Sequence, residues 1–201
     1  TAMLLPHPYD PSKPTEVIFY FHGHNGSIAN SLNPAKTGLS DVIQQLAQAR
    51  SQAGGHNVAI VLPQGPVKAR DYTWMNAKNG ESLATFQAEA LERLLQLAPG
   101  LQIGKVTLKG HSAGGLPLLN GATAGGIRAD RVDFLDASYG SWASGSWNQF
   151  KKHGLAPEFN LVYLPGTSTQ ADALRLKGKA GVNLLTTSVS HGQVPKAFLG
   201  R

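Results

Sequence analysis

Short runs of apolar residues, rich in β-branched and aromatic side chains, recur along the chain and alternate with longer stretches of mixed polarity. Six such runs stand out, at residues 17–21, 58–62, 106–108, 132–135, 161–164 and 182–187. They are apolar at consecutive positions, whereas a strand with one face in water alternates between apolar and polar residues. The pattern therefore predicts strands of a parallel sheet that helices cover on both faces.

Stretches with helical periodicity lie between these runs, at residues 39–50, 83–97, 115–124 and 171–177. In the second stretch the apolar residues Phe86, Ala90 and Leu94 recur every four residues, so they share one face of a helix. Strands that alternate with helices predict right-handed crossovers. We therefore predict the α/β class, with a three-layer α/β/α sandwich around a mostly parallel sheet of about six strands.

Length and composition fit one globular unit. The chain has 201 residues, of which 41% are hydrophobic and 15% charged, a balance typical of folded rather than disordered proteins. Because one domain usually holds about 100 to 200 residues, we expect a single domain over residues 1–201. The stretch up to Pro14 contains four prolines, so we expect an extended lead-in there, or at most an edge strand.

The charge distribution argues against several partners. The formal net charge is +6, but lysines and arginines are scattered, and the densest basic stretch, residues 175–179, is typical of a solvated helix end. We therefore expect no nucleic-acid partner. No apolar run approaches the roughly 20 residues that span a bilayer, so we expect a soluble monomer without a membrane span. The absence of cysteine excludes disulfides, thiolate nucleophiles and cysteine-ligated zinc.

Residue types that carry chemistry follow four of the predicted strands. HGHNG (22–26) follows the first, GHSAGG (110–115) the third, DASYG (136–140) the fourth and SVSHG (188–192) the last. Ligands of an open parallel sheet bind outside the carboxyl ends of its strands. The sequence therefore predicts that a serine, a histidine and a carboxylate meet at one edge of the sheet.

Ser112 lies where a predicted strand meets a predicted helix, with Gly110 two residues before it and Gly114 two residues after it. A nucleophile on such a sharp turn has a strained backbone and closely packed neighbours, and the glycines leave room for both. The hydroxyl would then project from the sheet edge. The N–H of Ala113, at the start of the helix, would face a developing oxyanion.

This motif is the GxSxG nucleophile elbow, and the chain resembles the α/β-hydrolase fold family from about residue 17 to residue 199. The order of serine, acid and histidine along the chain is also that of the family. The resemblance implies that Ser112 is the nucleophile. It implies that His191, after the final strand, is the general base that takes the hydroxyl proton and returns it to the leaving group.

The segment after the first strand resembles the family's oxyanion-hole loop. His22 and Gly23 resemble its histidine-glycine pair, so the N–H of His24 is the expected second donor to the oxyanion, with Asn25 as the alternative. Two imidazoles at positions 22 and 24 would also suit a metal, but no matching acidic ligand lies nearby in the sequence. We therefore expect neither a metal nor an organic cofactor.

Two aspartates are candidates for the acid that orients the imidazole of His191. Family members most often place this acid where Asp172 lies, and some place it one strand earlier, where Asp136 lies. Asp136 directly closes an apolar run, where a carboxylate would be costly to bury without a partner. Asp172 lies several residues beyond its strand, as a helix N-terminal acid would. We therefore favour Asp136.

Three tryptophans are candidates for contact with the substrate. Trp142 and Trp147 lie in a run of small and polar residues, 138–150, which we expect to leave the sheet as a loop on the catalytic side. Trp74 lies in RDYTWMN (70–76), after the second predicted strand, and this position resembles that in secreted esterases of aromatic or polymeric esters. Such rings would stack on a sugar or an aromatic acyl group.

Together these residues predict a serine hydrolase that cleaves a small or polymeric carboxylic ester through an acyl-enzyme. An amidase or peptidase would use the same triad. A binding module on a hydrolase scaffold is a further alternative, because a fold does not guarantee its chemistry. The spacing between the fourth and fifth apolar runs leaves no room for a separate lid domain, so we expect an open site.

Overall fold

Seven strands of the described chain form one sheet. The structure, a computed structural model, describes residues 1–5, 9–35, 39, 41–42, 55–64 and 82–201. The strands are β1 (Ala2–Leu4), β2 (Pro14–Phe21), β3 (Asn57–Leu62), β4 (Gln102–His111), β5 (Arg131–Leu135), β6 (Glu158–Tyr163) and β7 (Val182–Thr186). The helices are α1 (Ile28–Leu32), α2 (Leu83–Leu97), α3 (Gly115–Ala124), α4 (Trp142–Lys152), α5 (Ser168–Arg175) and α6 (Val194–Phe198). Single 3₁₀ turns precede α3 and α6, at Ser112–Gly114 and His191–Gln193.

The sheet is parallel except at one edge. Its strand order is β1-β3-β2-β4-β5-β6-β7, and β1 is antiparallel to β3 while the other neighbouring pairs are parallel. The chain places β3 on one side of β2 and β4 on the other, so the strand order reverses between β2 and β4. A crevice opens outside the carboxyl ends of the strands at such a switch point. The predicted mostly parallel α/β/α sandwich is confirmed, and β1 is the short edge strand allowed for in the lead-in.

Two apolar clusters, one on each face of the sheet, hold the helices in place. The larger cluster lies under α2 to α5 and contains the buried residues Leu94, Leu118 and Phe150. The smaller cluster includes Val194 and Phe198 from the α6 helix. Full burial of one such side chain contributes about 1.5–3 kcal/mol. Each helix is therefore fixed against the sheet by its own apolar face, and the turns at the strand ends are fixed with it.

One helix lies where the sequence predicts a loop. Residues 142–152 form α4, although serine, glycine and asparagine are weak helix formers and local preference does not favour a helix there. Its Ala143, Ser146 and Phe150, spaced by three and four residues, are all buried. Because these side chains share one face, α4 owes its stability to tertiary packing more than to local propensity.

The other predicted helices differ little from the observed ones. The bounds of α2 and α3 match the prediction, and α5 begins three residues earlier than predicted. Of the predicted helix at 39–50, the structure describes residues 39, 41 and 42, and all three are helical. No helix in the described ranges is both long enough and apolar enough to cross a membrane.

Candidate active site

Ser112 begins the turn that leads from β4 into α3. Its φ is 54°, in the left-handed region that non-glycine residues rarely adopt. A Cβ atom at Gly114 would overlap the carbonyl oxygen of Phe21, and one at Gly110 would overlap the carbonyl oxygen of Gly114. Only glycine fits at either position, because both obstacles are backbone. The GxSxG spacing therefore has a steric cause, and tight packing holds the serine in its strained conformation.

The loop after β2 passes directly over Ser112. A Cβ atom at Gly23 would lie 3.0 Å from Ser112 Cβ. The buried His22 donates its Nδ1–H to the Gly23 carbonyl at 3.0 Å, and the Gly26 N–H donates to the same carbonyl at 2.9 Å. Burial lowers the pKa of His22, so the ring is neutral near pH 7 and shapes the loop from inside. The main chain of His24, the predicted second oxyanion donor, comes immediately after Gly23.

His191, in the 3₁₀ turn before α6, forms a short hydrogen bond with Asp136 at the end of β5. The distance from His191 Nδ1 to Asp136 Oδ2 is 2.6 Å. The other carboxylate oxygen accepts from the Thr169 hydroxyl and from the Leu164 N–H. Although burial acts to raise the pKa of Asp136, the hydrogen bonds from His191 and Thr169 lower it overall. The carboxylate is therefore ionised, and its hydrogen bond with Nδ1 fixes the orientation of the His191 ring.

His111 connects this pair to the elbow. Its Nε2–H donates to the His191 carbonyl at 3.0 Å, and the two ring centroids lie 4.7 Å apart. Burial, with a contribution from the neighbouring His191, lowers the pKa of His111 to about 4. The His191 turn is therefore anchored to the residue next to Ser112. Sequence analysis did not find this contact, because a histidine at the variable position of GxSxG carries no signal of its own.

The structure thus gathers Ser112, His191 and Asp136 at the carboxyl ends of β4 and β5. Among the described residues, no hydrogen bond joins the Ser112 hydroxyl directly to the His191 imidazole. A cavity of about 150 Å³ lies beside the elbow and is lined by neighbours of these residues, among them His24, His111 and Gly192. Within the described ranges, no three histidine, aspartate or glutamate side chains come together as ligands of a metal would.

Asp172, the other candidate acid, is fully buried and links two helices. Its Oδ2 accepts from the backbone N–H groups of Ala143 at 2.8 Å and Ser144 at 3.2 Å, in the first turn of α4. Its Oδ1 accepts from the Ser144 hydroxyl at 2.5 Å and from Arg175 at 3.3 Å. Asp172 is thus a helix N-terminal acid, as its sequence context indicates, but it caps α4 and not its own helix α5. Both oxygens of the Asp172 carboxylate thus accept hydrogen bonds at this cap, whereas Asp136 contacts His191.

The tryptophans occupy three different situations. Trp142 is the first residue of α4, at the carboxyl edge of the sheet, and meets Tyr139 edge-on with ring centroids 5.4 Å apart. Trp147 lies further along α4 and lines a groove at the amino-terminal ends of β6 and β7, so the structure does not bring it to Ser112. Trp74 lies outside the described residues.

No family model matches the sequence, and no curated protein sequence matches it. Solved structures do match. The BES protein from Bacillus cereus superposes with a TM-score of 0.62 at 14% identity, over 98% of this chain and 85% of that one. The siderophore hydrolase EstB from Aspergillus nidulans gives 0.62 at 16%, over 99% and 87%. FphF, a fluorophosphonate-binding serine hydrolase from Staphylococcus aureus, gives 0.60 at 13%, over 97% and 87%. The chain therefore has the α/β-hydrolase fold.

Proposed function

We propose that the protein is a serine hydrolase that cleaves a carboxylic ester through an acyl-enzyme. The observation that carries this proposal is the 2.6 Å hydrogen bond between Asp136 and His191, at the same sheet edge as a serine with a strained backbone. Strain of this kind persists where the surroundings impose it, and it clusters at functional sites. Two proteins of similar fold, a fluorophosphonate-binding serine hydrolase and a siderophore hydrolase, are hydrolases, which agrees with this proposal.

In the proposed mechanism, the Ser112 hydroxyl attacks the ester carbonyl while His191 Nε2 takes its proton. Asp136 stabilises the imidazolium, and the N–H groups of Ala113 and His24 stabilise the oxyanion. The tetrahedral intermediate expels the alcohol, which receives the proton from His191. Water then attacks the acyl-enzyme by the same route and releases the acid and Ser112.

Closure of the triad requires His191 to approach the serine. Catalytic hydrogen bonds are often long in ligand-free enzymes and tighten when substrate binds. The side chain of His191 is 43% exposed, whereas that of Asp136 is 4% exposed. We therefore expect Asp136 to stay fixed while the imidazole turns its Nε2 toward the Ser112 hydroxyl.

The cavity beside the elbow bears on the substrate. Its volume of about 150 Å³ is below the range of about 300–1,000 Å³ typical of drug-sized ligand sites. It suits a small acyl or alcohol group. A bulky remainder of the substrate would lie outside this cavity, along the open sheet edge.

Covalent labelling with a fluorophosphonate tests the nucleophile. We expect the wild-type protein to be labelled and to hydrolyse 4-nitrophenyl acetate. The Ser112→Ala variant should lose the label and at least about 10³-fold in turnover. Ser82→Ala, which removes a hydroxyl that caps α2, is the matched control and should keep both. Circular dichroism confirms that each variant is folded.

Comparison of an ester with the matching 4-nitroanilide separates the alternatives. Hydrolysis of the ester without measurable hydrolysis of the anilide supports the proposal. Hydrolysis of the anilide as well assigns an amidase or peptidase with the same residues, because such an enzyme also cleaves the more reactive ester. A folded wild-type protein that neither hydrolyses these compounds nor takes the label would be a binding module. That outcome would overturn the proposed function.

A further inference from the structure

A second concave surface lies at the amino-terminal ends of the strands, whereas Ser112 lies at their carboxyl ends. It lies between the carboxyl-terminal half of α4, the start of β6 and the turn before β7, with a volume of about 370 Å³. This volume falls within the range typical of small-molecule sites. We call it the α4–β6 groove; its lining includes Trp147, Phe150, Lys151, Pro157, Phe159 and Lys179.

Three aromatic side chains line the groove. Phe150 and Phe159 are buried and meet edge to face, with ring centroids 5.8 Å apart. Trp147 is only partly buried against the same core. The groove therefore combines a rigid apolar base with one large aromatic side chain that is accessible to a ligand.

Two lysines flank this tryptophan. Lys151 Nζ lies 4.8 Å and Lys179 Nζ lies 5.9 Å from the centroid of the Trp147 ring. Among the described residues, neither lysine forms a salt bridge with a carboxylate. Lys179 belongs to the basic stretch 175–179, whose Arg175 instead points to Asp172. Within the described ranges, no carboxylate thus neutralises the two ammonium groups at the groove.

The acid that lies between two lining residues does not neutralise these ammonium groups either. Glu158 lies between the lining residues Pro157 and Phe159, but successive residues of a strand point to opposite faces of a sheet. Its carboxylate accepts hydrogen bonds from the side chains of Asn160 and Asn183, at 3.3 and 3.1 Å. The groove therefore has a positive potential over an aromatic surface.

We propose that the α4–β6 groove is a second binding site, which takes an anion with a flat apolar body such as an aromatic carboxylate. The ring system of the ligand packs on the accessible Trp147, beside the apolar base that the buried Phe150 and Phe159 form. Its carboxylate accepts charge-assisted hydrogen bonds from Lys151 and Lys179, which replace their contacts with the tryptophan ring. The site is independent of Ser112, because it lies at the other edge of the sheet.

Equilibrium dialysis of the full chain against 2-naphthoate tests this site, with 2-naphthalenemethanol as the neutral analogue. We expect saturable binding of one naphthoate per chain, weaker binding at higher salt, and about tenfold weaker binding of the alcohol. Absence of saturable naphthoate binding at millimolar concentration would overturn the proposal. Equal binding of the two compounds would also overturn it, because the lysines would then have no role.

Variants locate the bound probe. Lys151→Gln and Lys179→Gln should each weaken naphthoate binding about two- to fivefold, the size expected for exposed ion pairs, and Trp147→Leu should weaken it further. Lys177→Gln and Trp142→Leu, which change the same residue types outside the groove, should bind as wild type does. If the two lysine variants and Trp147→Leu all bind like wild type, the probe lies elsewhere and the proposal is wrong.

The Ser112→Ala variant separates this proposal from the proposed function. Naphthoate binding should be the same in this variant as in wild type, and the lysine variants should keep wild-type turnover of 4-nitrophenyl acetate. Loss of naphthoate binding after fluorophosphonate labelling of Ser112 would assign the probe to the crevice and overturn the second site. Loss of 4-nitrophenyl acetate turnover in Ser112→Ala, with naphthoate binding unchanged, would support a second site that is separate from the crevice.

Discussion

Three residues around the crevice have unusual backbone conformations. Among the non-glycine residues that the structure describes, Asn25, Ser112 and Asp136 have positive φ angles, of 60°, 54° and 49°. They follow β2, β4 and β5, whose carboxyl ends meet at this crevice. Each such conformation costs about 1–3 kcal/mol and persists only where the surrounding structure imposes it. The strained backbone conformations thus cluster at the crevice to which the GxSxG motif also points.

The two candidate acids should differ sharply when each is replaced by asparagine. Asp136→Asn removes the charge that fixes and stabilises the His191 imidazole, so kcat on an aryl ester should fall about 10⁴-fold. Asp172→Asn leaves that pair intact, and we expect kcat per folded molecule to change no more than a few-fold. It weakens the cap of α4, so the free energy of unfolding in urea should fall by about 1–3 kcal/mol. The opposite pattern in kcat would assign the acid to Asp172.

His111 should give the protein a measurable sensitivity to acid. Burial lowers its pKa from the ordinary 6.5 to about 4, so between these values the unfolded chain binds a proton that the folded chain does not. Its contribution to stability is fully present above pH 6.5 and falls toward pH 4, by up to about 1.4 kcal/mol per pH unit. His22, His191 and Asp136, which surround it, remain as a common background in a variant.

Urea unfolding between pH 4 and 7 tests this expectation with His111→Gln, in which an uncharged amide replaces the imidazole. The free energy of unfolding of the variant should depend less steeply on pH. The slope should fall by up to about 1.4 kcal/mol per pH unit, which corresponds to the uptake of one proton on unfolding. An identical slope in wild type and variant would show that His111 takes up its proton equally in the folded and unfolded states.

At the scale of elements, the elbow is wedged between the ends of two other strands. Gly114 packs on the last residue of β2, and a Cβ atom at Gly115 would lie 2.6 Å from the carbonyl oxygen of Ala137, just after β5. These contacts set the distances between the loop after β2, Ser112 and the Asp136 segment. Small residues in the turn therefore position three segments of the site at once.

Gly114→Ala should disrupt this wedge. The added methyl group would overlap the Phe21 carbonyl, which is backbone and cannot move without shifting β2. We expect the free energy of unfolding to fall by about 2 kcal/mol or more, and turnover to be lost. Gly55→Ala is the control, since within the described residues, its chain neighbours aside, no atom lies within 4 Å of the added methyl group, and its stability should change by less than about 0.5 kcal/mol. Equal effects of the two changes would contradict the wedge.

At the scale of the whole molecule, the sheet separates two concave surfaces of different character. The crevice at the carboxyl ends of β2 and β4 holds the serine, histidine and aspartate, whereas the α4–β6 groove at the opposite edge holds aromatic rings and lysines. The connections that follow β5 and β6 are short. Between β5 and β6 the chain forms α4, and between β6 and β7 it forms α5, so neither connection holds a lid domain.

These short connections predict the response to lipid-like substrates. Interfacial activation requires a lid that opens at a surface, so we expect hydrolysis of a short-chain aryl ester series to change smoothly as the concentration passes the critical micelle concentration. Initial rates measured across that concentration, with a soluble ester as reference, check this. An abrupt rise at the micelle threshold would reveal a lid function.

The sequence by itself determined the α/β class, most strands, three of the helices and the places of Ser112 and His191 after their strands. Burial on both faces leaves continuous apolar runs, burial on one helix face leaves a period near 3.6, and a sharp turn leaves its glycines at fixed offsets. Each of these signals comes from residues close together in the chain. Local sequence can therefore record them without knowledge of the remaining structure.

Only the tertiary structure decided which carboxylate meets His191, that residues 142–152 form a helix, and that Trp147 lies away from Ser112. Asp136 and Asp172 both follow strands, and their partners are fixed by strand order and by the packing of α5 on α4. The helix α4 depends on a cap from another helix and on a shared core. The contact of His111 with His191 joins residues 80 positions apart. Such interactions depend on which segments become neighbours in space, and no local pattern of residues records that.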